Sequence, residues 1–295
     1  MLNNTHTSVM LAESIEALAV QPGSQYIDAT FGRGGHTQAI IQKGGRVIAF
    51  DWDAEAIAAG TDRFSAEIAA GTLQLIHEPF SQILSVIQKL NNKIMGILFD
   101  FGTSVEQLTS SERGFSVLGT GLLDMRMDTR LGVKALDLLA VLPEKQLAQL
   151  FRDFGGEQEA GNIAKAIKRS PQPITTANEL SELVRRTKRF RGGHLHPATK
   201  VFQALRIAVN SELDEIALAL VGALQVVTAG GRIVTIAFHE GEDRIAKDTF
   251  REWESAGKGT QITKKPLIPS EEEIAQNPRS RSAKLRVFEK QEGSI

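Results

Sequence analysis

Between Tyr26 and Asp53 the chain reads YIDATFGRGGHTQAIIQKGGRVIAFDWD, which sets Gly32, Gly34 and Gly35 between two acids, Asp28 and Asp51. Glycine admits positive φ and lets a ligand approach a backbone that carries no Cβ. Asp51 follows Asp28 by 23 residues, about the interval at which a carboxylate on a second strand reaches ribose hydroxyls in a doubly wound sheet. The pattern predicts a nucleoside-cofactor pocket, with Gly34 and Gly35 lying under the ligand and Asp51 on its ribose. It serves a dinucleotide or S-adenosylmethionine equally, since each presents a ribose to the acid. On the turn alone, an NAD-dependent oxidoreductase competes with a methyltransferase.

Such a pocket needs strands to carry the acids. Residues 9–19 have helical periodicity, and strand patterns follow at 25–29, 46–51, 73–77 and 94–100, with helical stretches near 35–43, 54–60 and 81–90 between them. This alternation predicts a largely parallel sheet. Ligands bind at the carboxyl ends of such strands beside the switch point, so Asp28, Asp51, Asp100 and the residues after Phe238 mark the chemical edge. From about 108 to 195 the patterns are helical only, at 135–142, 144–154 and 162–170, and Thr176 is placed to cap a further helix. One long amphipathic pattern runs over 198–227, and strands resume at 230–238 and 283–289. The expected architecture is an α/β sheet domain formed by 1–107 and 197–295, with an all-helical insertion over 108–196 placed to hold a substrate.

The 295 residues contain no cysteine, which removes thiolate zinc sites, iron–sulfur clusters and any covalent cysteine nucleophile. No HxxH or DxDxDG spacing suggests a metal site. A formal net charge of −1 means that contact with nucleic acid has to use local patches. Arg185, Arg186, Lys188, Arg189 and Arg191, followed by Lys200 and Arg206, form one such patch, suited to RNA phosphates. No apolar run is long enough to cross a bilayer and no targeting peptide is evident, so a cytoplasmic protein without membrane contact is expected. A homodimer is one of the assemblies left open.

Five further motifs occur in order: GTS at 102–104, ERGFS at 112–116, LDMRMD at 123–128, HPATKVFQALRIAVN at 196–210 and NPRSRSAKLR at 277–286. Together they resemble the MraW/RsmH family, S-adenosylmethionine-dependent methyltransferases that act on the exocyclic N4 of a cytidine in small-subunit (16S) ribosomal RNA. The resemblance spans nearly the whole chain. It implies a class I (Rossmann-like) methyltransferase sheet, S-adenosylmethionine as cofactor, and small-subunit ribosomal RNA or the small ribosomal subunit as partner. It also implies cofactor contacts at Gly34, Gly35, His36, Asp51, Phe80, Asp100 and Gln107. The chain departs from the family pattern at Val105-Glu106, Leu122, Gly156 and Glu240-Gly241.

In methyl transfer to a cytosine amino group, an acceptor for its N–H bonds helps to aim the nitrogen lone pair, and Asp100 is the candidate for that catalytic role. The lack of cysteine favours N4 over C5 chemistry, which normally needs a thiolate. A related methyltransferase with another RNA target, or an RNA-binding assembly factor of low activity, are the other readings of the same motifs.

Overall fold

Apolar residues fill the strands almost without interruption, as in YID, VIAF and ILF, and a strand of that composition is stable only with both faces covered. A computed structural model describes residues 8–102, 112–188 and 196–292, which form two units: one from 1–102 with 213–295, the other from 103–212.

The first unit is built on a seven-stranded sheet. Its parallel strands are β1 (Gln25–Asp28), β2 (Arg46–Asp51), β3 (Leu73–His77), β4 (Ile94–Asp100) and β5 (Val227–Ala237). Short β6 (Gly259–Gln261) and β7 (Lys284–Lys290) complete it, and β7 runs antiparallel to both its neighbours. The order is β3-β2-β1-β4-β5-β7-β6. Chain order reverses between β1 and β4, so the switch point lies between the ends that carry Asp28 and Asp100.

Alternate residues of each strand face opposite layers. Ile48, Phe50, Ile97 and Phe99 pack with α5 (Ile83–Leu90) and with α11 (Glu212–Val226) through Ile83, Ile87, Ile216 and Leu220. Val47, Ala49 and Leu98 face the other way, onto Ile15 and Leu18 of α1 (Leu11–Leu18) and Ile40 of α2 (Gly35–Gln42). After β2 come α3 (Ala54–Arg63) and α4 (Ser65–Ala69), and after β5 come α12 (Glu240–Ser255) and α13 (Glu271–Gln276).

Among the described residues the second unit is helical: α6 (Ala135–Val141), α7 (Glu144–Gly155), α8 (Ala160–Lys168), α9 (Ala177–Thr187) and α10 (Thr199–Asn210). Leu147, Phe151, Ile163, Leu180, Val184 and Leu205 are buried in it. Thr176 caps α9 through the Glu179 N–H, and the Glu179 side chain accepts in return from the Thr176 N–H, a reciprocal box that satisfies two orphan donors.

Three expectations are corrected. The pattern over 198–227 is two helices, because Ser211 takes a left-handed conformation with φ 48° and ends α10. The second unit therefore reaches Glu212 instead of stopping at 196, since α10 packs on α7 so closely that a Cβ on Gly155 would strike the Lys200 carbonyl. Strand β6 went unpredicted because GTQ is three residues long and carries almost no hydrophobic signal, as suits an edge.

The turn between α10 and α11 has a physical cause in the Asn210 side chain. Its Oδ1 accepts from the Met127 N–H at 2.7 Å, and its Nδ2 donates to the Met125 carbonyl at 2.8 Å and to the Arg206 carbonyl at 2.8 Å. Met125 itself sits at φ 59°, a conformation that a non-glycine side chain holds only when its surroundings fix it. We expect Asn210→Ala to cost about 2–5 kcal/mol, because it strands two buried backbone groups. Urea denaturation followed by circular dichroism is the check.

Candidate active site

Leaving β1, the chain must turn sharply to begin α2, and the acid ends of the strands hold that turn. Asp28 is fully buried; its Oδ1 accepts from the Thr30 N–H at 3.2 Å and its Oδ2 from the Thr37 hydroxyl at 2.7 Å. Asp51 accepts from the Gly32 N–H at 2.8 Å and from the Asp53 N–H at 2.9 Å. Asp53 in turn caps α3 through the Glu55 N–H. One carboxylate on each of two adjacent strands thus pins the same loop.

Gly32 and Gly34 take φ 51° and 73°, which explains glycine there by conformation. The Cβ side of Gly34 is filled by Phe31 and Phe64, each 2.7 Å from where that atom would lie, and that of Gly35 by the Ser8 hydroxyl. These glycines are therefore required on their Cβ side by the protein's own packing. What remains for a ligand is the start of α2, which has no side-chain cap and so presents first-turn N–H groups suited to an anion.

Asp51 is only partly covered at its surface, yet burial lifts its carboxyl to about 6. The Gly32 and Asp53 N–H groups oppose that rise, and the charges of Asp53 and Asp28 add to it. Each Asp51 oxygen holds one backbone N–H and keeps lone pairs for a diol.

Trp52 follows directly, and its ring lies 5.7 Å from that of Phe80, which packs edge-on to Phe99 at 6.0 Å and tilted to Phe101 at 6.1 Å. Phe80 is a core residue, 8% exposed. Partly exposed Trp52 directly follows Asp51, and the sequence reading missed it. Its position immediately after Asp51 was the available signal.

Asp100 closes β4. Its backbone N–H donates to Thr30 Oγ1 at 2.8 Å, and one carboxylate oxygen stands 3.7 Å from Nδ1 of buried His36. The other, Oδ1, is buried with no hydrogen-bond partner among the described residues. Burial, then the charges of Asp28 and Glu242, hold the Asp100 carboxyl well above the usual carboxylate range. His239, which follows Phe238, caps α12 through the Gly241 and Glu242 N–H groups. Gln107 lies outside the described residues.

The basic residues of the second unit divide by what they touch. Arg206 makes a two-pronged pair with Glu212, at 2.7 and 2.8 Å, and both are largely buried. Lys188 reaches buried Glu157 at 2.9 Å and the Pro197 carbonyl. Lys200 donates to the Gly156 carbonyl at the end of α7. Arg206 and Lys188 are thus engaged by buried glutamates, while Lys200 is exposed. Arg185 and Arg186 face solvent, sharing Glu182 as a neighbour. Arg189 lies outside the described residues.

The model of the MraW methylase family matches residues 3–291. A protein of Caldicellulosiruptor bescii called ribosomal RNA small subunit methyltransferase H is 43% identical over 306 residues, covering 97% of this chain and 99% of its own. One of the same description from Coprothermobacter proteolyticus is 41% identical, covering 97% and 96%. A solved rRNA methylase from Streptococcus thermophilus aligns over 97% of this chain and 99% of its own at 12% identity, with TM-score 0.46.

An ionised Asp51 can accept two ribose hydroxyls, whereas a protonated one loses acceptor capacity. Because this carboxyl titrates near 6, S-adenosylmethionine should bind with constant affinity above about pH 7. Its dissociation constant should rise by up to about tenfold per unit as pH falls below 6. Calorimetric titration across that range checks this, and Asp51→Asn should bind more weakly with a flattened profile.

Proposed function

From the premise that this chain belongs to the MraW methylase family, we propose that it transfers a methyl group from S-adenosylmethionine to the exocyclic N4 of a cytidine in small-subunit ribosomal RNA. The observation that carries the reading is the pairing of Asp51 and Asp100 at the carboxyl ends of strands that flank β1 on either side. One acid suits a ribose, and the other, at the switch point, has an oxygen with no hydrogen-bond partner among the described residues.

The residues fit the cofactor. The uncapped start of α2 suits its carboxylate, Asp51 its ribose and Trp52 its base. Bound there, S-adenosylmethionine supplies an electrophilic methyl on a cationic sulfonium. A cation beside Asp100 draws that carboxyl back toward its ionised form.

Ionised Asp100 accepts an N–H of the cytosine amino group through Oδ1. That bond turns the nitrogen lone pair out of conjugation with the ring and aims it along the in-line path, at roughly 3–3.5 Å from the methyl carbon. As the N–C bond formed and the methyl–sulfur bond broke to leave a neutral thioether, the positive charge would pass to the nitrogen, and Asp100 or water would take its proton. A carboxyl with a raised proton affinity is suited to receive it. Cytosine C5 methylation, by contrast, normally proceeds through a cysteine thiolate, and this chain has no cysteine.

The Caldicellulosiruptor and Coprothermobacter relatives are called ribosomal RNA small subunit methyltransferases, and near-complete coverage of both chains supports the same substrate here. A target cytidine in structured RNA must leave its stack to reach a strand-end crevice. Outward-facing Arg185 and Arg186 suit the neighbouring phosphates.

The test uses labelled S-adenosylmethionine and small ribosomal subunits from a strain lacking this protein, followed by nucleoside digestion and mass spectrometry. The expected product is N4-methylcytidine, and Asp100→Asn should lower turnover by about 10²–10⁴-fold. A second variant, Arg185→Glu with Arg186→Glu, should raise KM for RNA and flatten its dependence on salt by up to about two phosphate contacts, while cofactor affinity stays unchanged. An unmethylated subunit, or a product other than N4-methylcytidine, would remove the proposal.

A further inference from the structure

Asp28 is the one acid of this edge that the cofactor reading does not use, although it is fully buried and central. Both its hydrogen-bond donors, the Thr30 N–H and the Thr37 hydroxyl, are neutral. A buried carboxylate is costly to maintain, so its retention calls for something that it fixes. What it fixes is Thr30. With its backbone N–H held by Asp28, Thr30 places Oγ1 where it accepts the Asp100 N–H at 2.8 Å.

The links run Thr37–Asp28–Thr30–Asp100, from the first turn of α2 through the end of β1 to the end of β4. Register adds to the constraint. Asp28 lies opposite Leu98, and the Ala29 N–H donates to the Leu98 carbonyl at 2.8 Å. Beyond that point regular pairing between β1 and β4 ends, and the Thr30 hydroxyl takes over as the partner for Asp100. Side-chain contacts of Asp100 do little to anchor it: His36 is 3.7 Å away and Oδ1 has no hydrogen-bond partner among the described residues. The position of its carboxylate is therefore set largely by its backbone.

We propose that Thr30 is a positioning residue for methyl transfer, holding the Asp100 backbone so that its carboxylate meets the acceptor nitrogen, with Asp28 and Thr37 holding Thr30 in turn. The role rests on the methyltransferase reading above. Displacement of a reacting group by about 1 Å can cost on the order of 10²-fold in rate.

Thr30→Val keeps the shape and removes the acceptor, whereas Thr30→Ser keeps the acceptor. The expected result is that Thr30→Val lowers kcat by about 10- to 100-fold with cofactor Kd and KM for RNA nearly unchanged, and that Thr30→Ser restores most of the rate. Thr37→Val acts one link further back and should give a smaller loss of the same kind; it serves as the second variant if Thr30→Val does not fold. A wild-type rate in both valine variants, a rate loss matched by cofactor affinity, or no rescue by serine would overturn the proposal.

Amide hydrogen exchange at Asp100, read by NMR, separates this claim from the activity. If the wild-type protein methylates no ribosomal RNA, the functional reading fails. Exchange at Asp100 that accelerates in Thr30→Val and recovers in Thr30→Ser would still support the positional link, and unchanged exchange would overturn it.

Discussion

The hydrogen bonds that the acids at the ends of β1 and β2 accept from one short loop are the constraint on which the rest of the site depends. Asp28 fixes Thr30 and Thr37, and Asp51 fixes Gly32 and Asp53. Carboxylates buried at a sheet edge are unstable unless donors surround them. The loop supplies the N–H groups of Thr30 and Gly32, and in doing so loses its own freedom; the Thr37 hydroxyl in α2 and the Asp53 N–H after β2 complete the set. The same bonds fix the start of α2 and α3, so a ligand meets helix ends already in place. Removing either acid would release both the loop and the helix that follows it.

A comparable device operates in the helical unit, with an amide in place of a carboxylate. Asn210 satisfies backbone groups on both sides of Arg126. Arg126 pairs with Asp124 at 2.6 Å and donates to the carbonyls of Thr129 and Leu131, while Arg113 donates to the carbonyls of Arg126 and Met127. A segment without helix or strand is thereby held by charged side chains acting on its own backbone. That accounts for the dense Arg and Asp content of LDMRMD, and it shows that charges in a motif need not face a ligand. Arg206 and Lys188 make the same point from α10 and the end of α9, each committed to a buried glutamate.

Much of this was legible in the sequence because strands buried on both faces leave continuous apolar runs, and because their carboxyl ends are marked by acids. Asp51 and Asp100 were placed at strand ends in this way, and β2 and β4 do end on them. What the sequence did not reveal depends on three-dimensional proximity. The glycine pattern pointed to a ligand but did not reveal that Phe31, Phe64 and Ser8 fill the Cβ side of Gly34 and Gly35, since no local pattern announces which side chain will arrive there. The break at Ser211 lies inside an unbroken amphipathic period, and its cause is the capture of Asn210 by a segment more than eighty residues earlier in the chain. Trp52 was passed over because a lone aromatic just past an apolar strand looks like core until its exposure is known.

The departures from the family pattern can be weighed by the same physics. Gly156 ends α7 at φ 58°, a left-handed position that glycine occupies at least cost. Gly241 stands where a Cβ would come within 3.1 Å of the His239 ring, and that ring accepts the first N–H groups of α12. Glu242 completes the cap by accepting from the N–H groups of Phe238 and His239. Leu122 pairs its backbone with Thr176 in an isolated bridge that any side chain permits. Val105 and Glu106 lie outside the described residues; the departures at Leu122, Gly156 and Gly241 are accommodated by a backbone pair, a turn and a cap, and none of them belongs to the Thr37–Asp28–Thr30–Asp100 chain or to the contacts of Asp51. Such changes leave strand-end carboxylates where the sheet puts them, because register, once set by the buried faces of β1, β2 and β4, is indifferent to how the helices begin and end.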